Sequence, residues 1–218
     1  MLTGRTASKL EAVVSEIHST GGTVACRAGS PTNHEDVKSV VKATWDAFGG
    51  IDILITSAGM NMPKAIVEQP AEDWQEIMDV NVKGTWLFCK EVGTVMIEQK
   101  RGGKVILLSS TRGMLGMANY SAYSPSKAAI SLMAKSPACE WGPHGINVNA
   151  IAPTVFRTDL TQWMFNDQAF YKNFLRRIPL GRLGEPEDFV GTVIYLSSKA
   201  SDFMTGSVVY VDGGYTAG

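Results

Sequence analysis

Long apolar runs are scarce in this 218-residue chain, and none reaches the roughly 18 residues that a membrane-spanning helix needs. The start, Met1-Leu2-Thr3-Gly4-Arg5, carries no apolar secretory core, so a cytoplasmic location is expected. An excess of one charge is also lacking. With 20 basic against 21 acidic residues the net charge is -1, which leaves no electrostatic footprint for nucleic acid or an anionic membrane. Cysteine is sparse: Cys26, Cys89 and Cys139 are odd in number, widely spaced and set in apolar patterns. That argues against disulfides and against a metal site, and predicts reduced thiols in the core. Repeats and low-complexity linkers are absent. At 44% hydrophobic and 19% charged residues, the chain has the composition of one globular α/β domain spanning residues 1–218.

Helical and strand patterns alternate along the sequence. A helix is expected from about Ala7 to Ser19, ended by Gly21-Gly22, then a strand over Thr23 to Arg27 and a helix with an acidic first turn near Glu35-Asp36. A strand beginning at Ile51 runs into the small-residue turn Ser57-Ala58-Gly59. Helices follow around Trp74 to Val82 and Trp86 to Gln99, then a buried strand, Gly103 to Ser110, and a helix carrying Tyr123. This rhythm predicts a doubly wound parallel sheet. Pro137 lies inside the Tyr123 helix and should kink it. His144, in a Gly/Pro turn, reads as structural.

Tyr123 and Lys127 are four residues apart, hence on one helix face, and Ser110 precedes the tyrosine by thirteen positions at the carboxyl end of a strand. A phenol titrating near 10 is a poor acid/base at neutral pH, and an adjacent ammonium stabilises its anion. The three together read as a proton-transfer site, although Y-x-x-x-K on its own is more often a solvated helix face. Asn81, in Asp79-Val80-Asn81-Val82-Lys83-Gly84, falls in a helical stretch where a polar residue often crosses to a neighbouring loop.

The order Ser57-Ala58-Gly59, Asn81-Val82-Lys83-Gly84, Ser109-Ser110, Tyr123-Ser124-Pro125-Ser126-Lys127 and Ala152-Pro153-Thr154 resembles the short-chain dehydrogenase/reductase family over nearly the whole chain. Its fold is a Rossmann-like doubly wound parallel sheet. The branches most resembled are gluconate and glucose dehydrogenases and 3-oxoacyl-carrier-protein reductases. The resemblance implies that Tyr123 is the general acid/base and that Ser110 holds the substrate oxygen. Lys127 would lower the tyrosine pKa and bind the nicotinamide ribose, and Asn81 would hold a water linked to Lys127. It further implies NADP or NAD contacts at Arg5, Ser57, Ala58, Gly59, Pro153, Phe156 and Thr158, a small carbonyl or alcohol substrate, and a homodimer or homotetramer. The segment Trp163 to Arg177 corresponds to the family's substrate lid, a core-packing helix being the alternative.

Two positions depart from the family: Ser57 replaces its usual Asn and Thr154 its usual Gly. The family's opening strand, Gly-rich phosphate turn, helix and second strand have no counterpart, since the resemblance starts at Gly4-Arg5. Arg5 stands where a 2′-phosphate would be read, which favours NADP slightly. Without the first strand, the edge of the Ile51 strand should be unpaired and Thr23 to Arg27 separated from the main sheet. A catalytically silent binding or scaffold subunit is therefore the alternative to an oxidoreductase acting on a sugar acid, polyol or 3-oxoacyl compound.

Overall fold

The computed structural model describes residues 1–158 and 161–218, with the side chains of Trp163, Phe165 and Phe170 outside the described set. The chain opens with β1 (Leu2–Gly4), α1 (Ala7–Ser19), β2 (Cys26–Ala28) and α2 (His34–Phe48). Next come β3 (Ile53–Thr56), α3 (Ala71–Met78), α4 (Gly84–Gln99), β4 (Gly103–Leu108), α5 (Tyr123–Met133), α6 (Lys135–Trp141) and β5 (Ile146–Pro153). Short helices α7 (Gln162–Asn166) and α8 (Gln168–Leu175) precede α9 (Pro186–Ser197) and β6 (Val208–Val211). The fold is thus α/β and Rossmann-like, with every strand pair parallel.

Two sheets form instead of one. Strands β3-β4-β5-β6 make a four-stranded sheet, while β1 and β2 pair only with each other. The second edge of β3 has no strand partner among the described residues, and Ile53 and Ile55 on it are 44% and 48% exposed. This is the separation expected from the sequence, with two adjustments. The second strand lies at Cys26–Ala28 rather than Thr23 to Arg27, and Leu2–Gly4 is itself a strand, so the family-like region begins inside that strand rather than after it.

The main core lies on the helix-covered face of the larger sheet. Val105 and Leu107 of β4 with Val148 and Ala150 of β5 pack against Cys89, Val92 and Met96 of α4 and Ile130 of α5. Central parallel strands need helices on both faces, and the opposite face meets Leu196 of α9 through Ile106 and Ile151. Helix α2 begins where Asn33 Oδ1 accepts the amides of Glu35 and Asp36 at 2.9 and 3.2 Å, with both acids favourable in the first turn.

Three local outcomes bear on the site. The stretch predicted as helix through Val82 leaves α-helical geometry at Asp79–Lys83, a single π-helical turn between α3 and α4. The wider turn carries Asn81 inward to full burial, a common arrangement where π-bulges occur. Pro137 acts as anticipated: α5 stops at Met133 and α6 starts at Lys135, because a proline has no N–H for the carbonyl four residues earlier. The cysteine expectation needs correction. All three are free, but only Cys89 is buried; Cys26 sits on the thinly covered β2 and Cys139 on the outer side of α6.

Candidate active site

Strand β4 delivers its last residues to the carboxyl end of the sheet, where Ser110 leaves it in extended conformation and caps the turn Thr111–Gly113. Its Oγ accepts the Arg112 amide at 3.1 Å and lies 3.4 Å from the Pro153 carbonyl. Tyr123 is the first residue of α5 and Lys127 lies one turn on. Ser109 locks that helix to the strand end by donating from its Oγ to the Lys127 carbonyl at 2.8 Å. The approach is close enough that a Cβ on Gly113 would sit 2.8 Å from the Lys127 carbonyl atoms, so glycine is the residue that fits.

Lys127 is buried and Tyr123 partly so, and burial disfavours the charged form of each. It pushes the Tyr123 phenol up to about 12, opposed by the hydrogen bond with Ser110 and by the Arg112 charge. It brings the Lys127 ammonium down to about 8. Lys127 Nζ donates to the Leu108 carbonyl at 2.8 Å and lies 5.7 Å from the Tyr123 ring centre. The lowering of the tyrosine pKa that Lys127 was expected to bring is not found: burial dominates and keeps the phenol protonated, and the lysine titrates closer to neutrality than usual.

Ser110 and Tyr123, with Thr154 and Thr161, line two adjoining cavities. One, of about 340 Å³, is lined by Ser57, Gly59, Lys127, Pro153, Phe156 and Thr158, with Phe189 of α9 behind Phe156. The other, of about 190 Å³, contains Asn61, Arg112, Tyr120, Thr154, Met164 and Phe174. Ser110 and Tyr123 face both cavities, so reactants placed in the two would meet beside these groups, as hydride transfer coupled to proton transfer requires. The first cavity fits a nicotinamide: a Cβ on Gly59 would occupy its floor, 3.4 Å from Asn81 Oδ1 and 3.5 Å from Lys127 Nζ.

These observations agree with the comparisons. The family model described as Enoyl-(Acyl carrier protein) reductase matches residues 1–216. The chain belongs to the short-chain dehydrogenase/reductase family. An uncharacterized oxidoreductase of Mycobacterium tuberculosis is 51% identical over 199 residues, which is 89% of this chain and 73% of that protein. The 5-keto-D-gluconate 5-reductase of Escherichia coli is 32% identical over 209 residues, 96% of this chain and 82% of its own. The crystal structure of a gluconate 5-dehydrogenase from Burkholderia cenocepacia in complex with NADP and tartrate superposes with a TM-score of 0.96 at 28% identity, covering 100% of this chain and 85% of that one. By homology the protein is an NAD(P)-dependent oxidoreductase of this family, and the chain spans 73% to 85% of the length of these relatives.

Of the residues anticipated from sequence, Ser110, Tyr123, Lys127, Ser57, Gly59, Pro153, Phe156 and Thr158 converge on the larger cavity. Ala58 lies in the same turn but outside its lining. Arg5 is elsewhere, beside Ser30, Pro31, Thr32 and the acidic side chains Glu72, Glu76 and Asp79. Asn81 is buried with its Oδ1 accepting the Met60 amide at 2.8 Å and its Nδ2 donating to the Met60 carbonyl and Ser126 Oγ, both at 3.0 Å. Its side chain thus crosses to the loop after β3 and fixes the floor beside Lys127.

The sequence reading missed the residues of the smaller cavity. Arg112, Asn61, Tyr120 and Thr161 were not singled out, although Arg112 and Tyr120 stand two and three residues from Ser110 and Tyr123. The segment Trp163 to Arg177 supplies Met164 and Phe174, both buried over this cavity; Trp163, Phe165 and Phe170, also anticipated there, fall outside the described side chains. Among the described residues, no helix is long and apolar enough to cross a membrane and no group of three His, Cys, Asp or Glu could hold a metal.

Proposed function

We propose that this protein moves a hydride between NAD(P)(H) and a carbonyl or secondary alcohol of a sugar acid, polyol or 3-oxoacyl compound. The observation that carries it is the Ser110–Tyr123 pair shared by the two cavities. Ser57, Gly59, Lys127, Pro153, Phe156 and Thr158 would hold the nicotinamide half of the cofactor, whose chemistry is to give or take a hydride at the substrate carbon. Ser110 holds the substrate oxygen and Tyr123 delivers a proton to it in reduction or removes one in oxidation. Lys127 stabilises the phenolate that reduction leaves behind, and burial favours its return to the neutral phenol. Asn81 keeps the loop after β3 against Lys127.

NADP is slightly preferred because the family likeness sets Arg5 where a 2′-phosphate would be read, and the same likeness supports a cytoplasmic dimer or tetramer. Exposed Trp86 on α4 and Leu132 on α5 supply apolar surface for a second copy. One observation favours the second reading, a catalytically silent subunit: β1 and β2 bond to each other and not to β3, which divides the crevice at which family members hold a dinucleotide.

The deciding experiment is reduction of 5-keto-D-gluconate by NADPH, followed by absorbance, with nucleotide binding measured by calorimetry. The Tyr123→Phe variant should lose about 10² to 10⁴ in rate while binding nucleotide as the parent does. A loss under tenfold would reduce Tyr123 to packing, and a parent that binds neither NADPH nor NADH would favour the silent subunit.

A further inference from the structure

The smaller cavity has polar groups that the proton relay does not use. Arg112 is 7% exposed, yet its described hydrogen-bond partners are neutral: Nη1 donates to the Gly116 carbonyl at 3.1 Å and Nη2 to the Tyr215 hydroxyl at 2.5 Å. Among the described residues no carboxylate lies within ion-pair distance of Arg112 or of Arg177, whose guanidinium carbon is 4.6 Å from the same Tyr215 ring. A guanidinium withdrawn from water without a counter-charge is costly, and structures that keep one usually offer it to an anion.

The cation is also deliberately held. Asp212 accepts the amides of Gly214 and Thr216 at 3.0 and 2.9 Å, and this turn buries Tyr215, whose ring stacks on Phe174 at 5.0 Å. The Arg112 guanidinium lies 5.2 Å from the Tyr215 ring and 6.0 Å from that of Phe174, so its plane has two aromatic supports.

Asn61 and Thr154 both line the cavity, and Asn61 Oδ1 and Thr154 Oγ1 are buried without a hydrogen-bond partner although the Asn61 side chain also meets the Tyr120 hydroxyl. An amide oxygen can only accept, so a ligand that satisfies Asn61 must bring a donor. Ketone and thioester oxygens cannot. Hydroxyl groups can, and a carboxylate matches the fork of Arg112.

We propose that this cavity is a polyhydroxy-carboxylate site, in which Arg112 pairs with the carboxylate while Asn61 and Thr154 receive hydroxyls of the same molecule, whose reacting carbon lies at Ser110 and Tyr123. The proposal rests on the oxidoreductase reading and narrows it: hydroxy and keto acids of the sugar-acid kind fit, whereas neutral polyols and 3-oxoacyl thioesters leave Arg112 or Asn61 unpaired. Thr154, the departure from the family's usual glycine, becomes a specificity residue.

The test is calorimetric titration of the 218-residue protein with D-gluconate, D-glucitol and hexanoate, with and without NADPH. D-glucitol replaces the carboxylate by an alcohol, and hexanoate removes the hydroxyls. D-gluconate should bind at least about tenfold tighter than either, since a site built for hydrogen bonds discriminates against ligands that lack them. Arg112→Gln should bring gluconate and glucitol within about twofold, and Arg112→Lys should retain part of the difference. If Arg112→Gln does not fold, the ranking on the unmodified protein decides alone. Equal binding of the three, or binding of none, overturns the site. Tyr123-dependent reduction of neutral ketones with no preference for acids would overturn it while leaving the oxidoreductase reading intact. A preserved ranking in a protein that binds neither NADPH nor NADH would support the site and sink that reading.

Discussion

The two sheets of this molecule are built from similar elements and differ in what covers them. In the larger one, β4 and β5 pair over six residues and their side chains are closed off by α4 and α5 on one face and α9 on the other. In the smaller, β1 and β2 pair over three residues, α1 has no buried residue and β2 is exposed throughout. Burial of apolar area is the main favourable term in folding, so the larger sheet is where stability resides. Ser110, Tyr123 and Lys127 all stand on that half, at the end of β4 and the start of α5. The proposed proton-transfer groups are held by the stable half, while Arg5 follows β1 of the smaller sheet.

The contrast is open to attack by substitution. Leu107→Ala, near the carboxyl end of β4 at full burial, should cost about 2–5 kcal/mol in urea unfolding, whereas Val13→Ala on exposed α1 should stay within about 0.5. Comparable losses at the two positions would erase the distinction.

Lys127 tests the electrostatic side of the same half. Its pKa falls from the ordinary 10.5 to about 8 because of burial, so the folded chain holds that proton less tightly than the unfolded one. The resulting cost is full below pH 8, fades as pH rises towards 10.5 and is gone above it. Lys127→Met removes this dependence. The stability of the parent relative to Lys127→Met should therefore improve by up to about 3 kcal/mol between pH 7 and pH 10. A constant difference across that range would show that Lys127 is solvated in the folded protein.

The smallest of these effects concerns the join between β4 and α5. Gly113→Ala forces a methyl against the Lys127 backbone and should cost about 1–3 kcal/mol, with a shift in the apparent pKa of the rate profile because α5 must move. Lost stability with an unaltered profile would mean that the helix start is not what sets the Tyr123–Lys127 geometry.

Much of this was legible in the sequence, for physical reasons. Buried parallel strands need continuous aliphatic runs, so the strand that begins at Gly103 declared itself. The i, i+4 spacing put Tyr123 and Lys127 on one face, and Pro137 announced its helix break. Boundaries at the weakly packed end were less readable: Thr23 to Arg27 has the right residues for a strand, but pairing with Leu2–Gly4 set the register, and that is tertiary information. Exposure of Cys26 and Cys139 was missed for the same reason. Arg112 was invisible because its partners, Gly116, Phe174 and Tyr215, approach it only through the fold, the last from 103 residues away. Asn81 was found by motif, but its inward swing depends on a π turn that no periodicity of 3.6 residues foretells.

Native-state hydrogen exchange resolved by residue tests most directly whether the proposed catalytic groups are held by the four-stranded half alone. Amides of Val105 to Ser109, Ser126 to Ser131 and Val148 to Ala150 should exchange only through global unfolding, and those of Cys26 to Ala28 through a far less costly local opening. Protection of Cys26 to Ala28 equal to that of β4 and β5 would contradict the account, since the two sheets would then be one cooperative unit.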